Sequence, residues 1–189
     1  MKYSLALVVL AAAVFVVNAA PAGNAANSFE QMKALMPPII GNALESFSQK
    51  GKDVMVKIMD DAMAARKADK PFGKAEFMAA VKAQAPDDFP KLESAEKELY
   101  DKIEASSSKI QNLFKMGEAI FGSGKTITPS EILKYADAIM SLSIDDQNAY
   151  FALFPQTKVF MEDKDALQKV LVGGNNADVD AGNDAMAQT

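Results

Sequence analysis

The sequence contains no cysteine, no histidine and no tryptophan, and it has a single arginine, Arg66. Without cysteine no disulfide can staple the fold, so packing alone has to hold it. Without histidine there is no Ser-His or Cys-His nucleophile pair and no histidine metal site. Adjacent acids occur at Asp60-Asp61, Asp87-Asp88 and Asp145-Asp146. Consecutive residues on a helix do not face each other, so these pairs read as helix starts or solvated faces rather than as catalytic carboxylates. Basic charge is also scarce, with 20 Lys and Arg against 25 Asp and Glu and a net charge of −5, which argues against a nucleic-acid partner. No Asn-x-Ser/Thr glycosylation acceptor occurs. The composition therefore predicts no catalysis, no metal and no cofactor.

What is present starts with Met1-Lys2 and an apolar run over residues 5–17, followed by the small-residue stretch Val17-Asn18-Ala19. This is the layout of a secretory signal peptide over residues 1–19. A membrane span would need roughly 20 apolar residues, and no other run approaches that length. The expected product is a secreted, extracellular protein whose helical domain covers residues 20–172. Residues 173–189 have no aromatic residue and are rich in Ala, Asn, Asp and Gly, and are expected to be a disordered tail. Within them, Asp178-Val-Asp180-Ala-Gly182 departs from a calcium loop, because its glycine sits one position early and no glutamate follows.

Between these ends the apolar residues recur at three- and four-residue steps, and nothing alternates with period two over a useful length. Asn27-Ser-Phe-Glu30 reads as a helix cap, with Phe29, Met32, Leu35 and Met36 on one stripe until Pro37-Pro38. Ile39, Ile40, Ala43, Leu44 and Phe47 mark a second helix, and Ser48 caps a long third one bearing Val54, Met55, Ile58, Met59, Ala62 and Met63. Phe77, Met78 and Val81 mark the next. A turn bracketed by Pro86 and Pro90 leads to Leu92, Ala95, Leu99 and Ile103. Ser108-Lys-Ile-Gln111 has the pattern of a capping box before Ile110, Leu113 and Phe114. Ile132, Leu133, Ala136, Ile139 and Met140 follow, and then a Ser143-Ile-Asp-Asp146 cap before Tyr150, Phe151 and Phe154, with a stop at Pro155. A last helical pattern holds Leu167, Val170 and Leu171. The fold class is all-α, a single domain of about eight to ten short amphipathic helices around an apolar core or cavity.

One stretch, AIFGSGKT at residues 119–126, ends like a phosphate-binding loop. Such a loop needs a strand before it and a helix that begins at its Lys-Thr. Here the upstream residues have helical spacing, and the downstream helix starts later, at Thr128-Pro129-Ser130-Glu131, where Thr caps and Glu reaches back. The stretch is expected to link two helices.

The chain has 11 Met and 11 Phe, many of them inside helices. Methionine is flexible and polarizable, and it suits surfaces that adapt to ligands of variable shape. Burying a fatty-acid chain of about 16 methylenes is worth roughly 13 kcal/mol gross, against an association cost of about 4–15 kcal/mol. Apolar contact alone therefore supports binding, and the carboxylate can stay at the wet mouth of a cavity. Arg66 is the candidate clamp for that carboxylate, because its fork matches the group.

The chain resembles the nematode fatty-acid- and retinol-binding family. The residues that carry the resemblance are Leu35-Met36-Pro37, Asn42 and the Ser48 helix start, then Phe77 to Pro86, Lys102-Ile103 before a turn, and Leu142-Ser143 through Phe154-Pro155. They span roughly residues 35–171. The departures are Pro38, Ile39 and Ile40, where the family has acidic residues, and Ser48-Gln-Lys-Gly51, where it has a Thr-Pro-Glu-Asp-like start. The resemblance implies a wedge-shaped helical protein with an internal cavity for fatty acids and retinol, and no enzyme activity. The helix stripes supply the wall candidates Phe47, Met55, Ile58, Met59, Leu113, Phe114, Phe121, Ile139, Met140 and Phe151. The expected partners are fatty acids and retinoids, with transient membrane contact during ligand transfer, and the expected state is a monomer. The alternative is a secreted helical antigen or protein-interaction module that uses the same stripes purely as core.

Overall fold

A computed structural model describes residues 25–34, 36–68, 70–122 and 128–162, and among these residues every regular element is a helix. The nine helices are α1 (Ala25–Ala34), α2 (Pro38–Glu45), α3 (Gln49–Lys67), α4 (Lys74–Gln84), α5 (Phe89–Glu104), α6 (Ser108–Phe121), α7 (Pro129–Met140), α8 (Ile144–Leu153) and α9 (Pro155–Glu162). The expected signal peptide, the tail and the pattern at Leu167, Val170 and Leu171 lie outside the described residues.

Most boundaries follow the local chemistry. Thr128 closes a capping box at the start of α7, accepting from the Glu131 N–H while the Glu131 carboxylate accepts from the Thr128 N–H at 2.8 Å. Ser143 caps α8 by accepting from the Asp146 N–H at 3.2 Å. Ser48 caps α3 through the Gly51 N–H at 3.0 Å. Two expectations need correction, and a third is extended. Helix α1 already begins at Ala25, so Asn27 lies inside it rather than at its cap. Helix α6 is capped by Ser107, not Ser108, and Gln111 reaches back to carbonyls instead of an N–H. Pro155 ends α8 and also occupies the first position of α9, where its missing N–H costs nothing.

Helix α1 packs on α2 and α3, α3 on α4, and α2 on α5. Helix α5 then passes the core on to α6, which packs on α7 and α8, and α9 leans on α8. One continuous apolar core runs through both halves. Leu92, Ala95, Leu99 and Ile103 of α5 are all buried along the seam, so the stripe read from their spacing faces inward.

Two glycines are set by close approach. A Cβ on Gly51 would lie 2.1 Å from Asp88 Oδ2, and one on Gly117 would lie 2.8 Å from the Tyr135 hydroxyl. At each position the absent side chain makes room for a polar group of another helix or turn.

Candidate functional site

The wall candidates come from separate helices and meet in the core. Phe47, Met55, Ile58, Met59, Leu113, Phe114 and Ile139 belong to one buried cluster, and half-buried Phe151 packs against it. Met55, Ile58 and Ile139 are fully enclosed. Met140 is a correction, because it is 57% exposed and points away from the cluster while its neighbour Ile139 takes the inward position. The side chains of Phe121 and Arg66 lie outside the described residues, although both positions are helical.

The two halves line this core differently. Buried methionines gather at one end, with Met32 on α1, Met36 just beyond it, and Met55 and Met59 on α3. At that end lysines edge the rings: Lys52 Nζ is 5.4 Å from the Phe29 centroid and Lys91 Nζ is 5.9 Å from that of Phe47. At the other end rings meet rings. Tyr100 stands edge-on to Phe114 at 5.7 Å, Phe114 stacks on Phe154 at 6.1 Å, and Phe154 lies 5.0 Å from Tyr150.

Polar groups reach into this aromatic end as neutral hydroxyls. Tyr135 and Tyr150 share a hydrogen bond of 3.0 Å between their hydroxyls, and both are buried. Burial pushes both phenols up, further for Tyr135 under the influence of Tyr150, so the pair stays uncharged at neutral pH. Nearer the surface, Lys74 Nζ donates to Glu96 at 2.5 Å and sits 5.9 Å from the Tyr100 ring. Burial raises the Glu118 carboxyl above its ordinary value, against the pull of the Lys74 charge and of a hydrogen bond from Tyr100. Among the described residues Asp88 is the only buried charged side chain, and no cluster of acids has the makings of a metal site. The described core is lined by aliphatic and aromatic side chains. The described part of it offers no buried cation to a carboxylate.

Asp88 is the buried polar group that periodicity missed. Its carboxylate accepts from the Ser48 N–H at 3.1 Å, from the Ser48 hydroxyl at 2.6 Å and from Lys91 Nζ at 2.7 Å. Lys91 also donates to the Ser46 carbonyl at 2.7 Å. Burial pushes the Asp88 carboxyl up, but Lys91 and the Ser48 donors outweigh it and hold it below the usual carboxylate value. The group ties the start of α5 to the start of α3 across 40 residues. The adjacent pair Asp87-Asp88 was the available signal, yet only one of the two points inward.

A turn also recurs in a form that the sequence reading did not pick out. Ser107 and Ser143, 36 residues apart, are the caps of α6 and α8. Gln111 donates to the carbonyls of Glu104 and Ser106 at 2.9 and 3.0 Å, and Gln147 repeats this on Met140 and Leu142 at 3.1 and 3.0 Å. The buried residues Leu99, Ile103 and Phe114 correspond in register to Tyr135, Ile139 and Tyr150. The α5–α6 and α7–α8 hairpins are thus built on one local plan. Asp146 joins them, accepting from the Ser107 hydroxyl at 2.7 Å and from the Ser143 hydroxyl at 2.8 Å.

No protein-family model matches the chain, and no curated protein or solved structure matches it either.

Proposed function

We propose that this protein is a secreted, non-enzymatic carrier that takes up fatty acids, and retinol as a second ligand, among the inner faces of its helices. The observation that supports the reading most is the convergence of Phe47, Met55, Ile58, Met59, Leu113, Phe114 and Ile139, drawn from across the chain, into one apolar cluster with its methionines at one end. Methionine repacks at low cost around guests of different shape. A hydrocarbon chain inserted there would gain about 0.8 kcal/mol per methylene, while its carboxylate would remain at the surface, since burying an unpaired charge is costly.

The test is a titration of purified, delipidated protein with a fluorescent fatty-acid analogue, followed by competition with oleate and retinol. A saturable, blue-shifted signal displaced by oleate is expected, and no saturable signal would overturn the reading. The rival, a helical interaction module, draws on the complete burial of Met55, Ile58 and Ile139, which an ordinary core also has. It predicts no rise in melting temperature with oleate, whereas a carrier is stabilised in proportion to ligand excess.

A further inference from the structure

The α7–α8 hairpin carries an apolar surface that its sister hairpin lacks. Leu133 and Met140, two turns apart on α7, are 43% and 57% exposed, and Ile144, the first residue of α8, is 75% exposed. The positions in register on the α5–α6 hairpin are Lys97, Glu104 and Ser108, all exposed. Between them Asp101 and Asp137 also correspond, so the polar residue in the middle of the face is kept while its neighbours change. Both hairpins have the same serine cap and glutamine brace. The backbone therefore does not require apolar residues at these three exposed places, and their apolar character is particular to α7–α8.

We propose that Leu133, Met140 and Ile144 form a contact face for a zwitterionic lipid surface. The occupant follows from charge and area. Exposed Lys134, Asp137 and Asp145 lie within a helical turn of these positions in the sequence and bring both signs of charge. A phosphocholine layer matches that mixture, its cation toward the two aspartates and its phosphate toward the lysine. An anionic surface does not suit a chain of net charge −5. Three partly exposed side chains offer on the order of a few hundred Å2, less than the roughly 800 Å2 per partner of a stable protein interface. Exposure rises toward the hairpin corner, which is the geometry of protruding tips that enter a soft interface. The contact is peripheral, since no described helix is long and apolar enough to cross a membrane. The assignment rests on the carrier reading for its purpose, the exchange of ligand with a membrane, but vesicle binding and oleate binding are separate measurements.

The experiment is flotation with phosphatidylcholine vesicles of the protein from residue 20 onward, which leaves out the apolar run at residues 5–17, comparing wild type with a triple variant that takes the sister hairpin's residues, Leu133→Lys, Met140→Glu and Ile144→Ser. The expected result is a loss of partitioning of about tenfold or more, with melting temperature, helicity and oleate affinity unchanged. Equal flotation of the two proteins, or no flotation of the wild type, would overturn the proposal. Tighter binding to phosphatidylserine vesicles would overturn the zwitterionic assignment. A dimer that becomes monomeric in the variant would reassign the face to contact between copies. Failure of oleate to bind, with flotation intact, would sink the carrier reading and leave the lipid-contact face standing.

Discussion

Asp88 and Asp146 do the same job in different surroundings. Each is the second member of an adjacent acidic pair, and each accepts hydrogen bonds from a serine that caps a helix. Asp88 is buried, receives the backbone N–H of its serine as well as the hydroxyl, and is paired with Lys91. Asp146 is more open, receives two serine hydroxyls, and has Lys109 only at 3.8 Å. The turn at Ser48 relies on a distant carboxylate and lysine for its exposed backbone groups, whereas the turns at Ser107 and Ser143 satisfy their carbonyls with a glutamine four residues on. The same cap is therefore held by tertiary structure in one place and mainly by local sequence in the others.

The sharpest way to break that contrast is to remove Asp88. Asp88→Ala takes the buried acceptor from the Ser48 donors and from Lys91, and should cost about 3 kcal/mol in chemical denaturation. A smaller loss from it than from Asp146→Ala would reverse the contrast. Gly51→Ala should follow at about 2 kcal/mol, because the new methyl meets a carboxylate held by several bonds and cannot push it aside cheaply. Combining it with Asp88→Ala should give less than the sum, since both act on one contact.

Acid titration sharpens the same comparison. Asp88 and Asp146 are both held below the ordinary carboxylate value, Asp88 by Lys91 and Ser48 against the opposing effect of burial, Asp146 first by the Ser107 and Ser143 hydroxyls. A lowered folded value means that the stabilisation is complete above the unfolded carboxylate range, near pH 4, and is lost as pH falls through the folded value. Melting temperature should therefore drop on acidification below that range. Asp88→Asn should remove more of the drop than Asp146→Asn, and an unchanged acid profile in Asp88→Asn would show that its lowered value contributes nothing.

Local braces should matter less. Gln147→Ala is expected to cost about 1 kcal/mol and to add to Asp88→Ala without coupling, because the two sites share no partner. At the low end, Met140→Glu should change stability by no more than about 0.5 kcal/mol, since it places on α7 the residue that α5 carries at the equivalent exposed position.

The fold was largely legible because a helix repeats its facing residues every three to four positions, and burial of that stripe is the main stabilising term. Leu92, Ala95, Leu99 and Ile103 illustrate this, as does the Thr128 box, whose partners lie within four residues. The inward faces of Phe47, Met55, Ile58, Met59, Leu113, Phe114 and Ile139 were legible to the same extent, with the outward Met140 the exception. Ile139 and Met140 are adjacent and both apolar, and a stripe this broad does not say which of them faces inward. At Ser107 and Ser108, two serines compete for one cap, and the better register won.

The residues by themselves determined an all-α chain without disulfide or histidine chemistry, the places where most helices start and stop, and the apolar faces that meet in the core. Each of these depends on groups within about one or two helical turns, where geometry is nearly constant. Tertiary structure alone decided that Asp88 rather than Asp87 turns inward to Ser48, that Gly51 and Gly117 admit Asp88 and Tyr135, and that Leu133, Met140 and Ile144 remain uncovered. Those outcomes depend on which helices pass close to one another, and contacts between residues tens of positions apart leave no periodic trace in a single sequence.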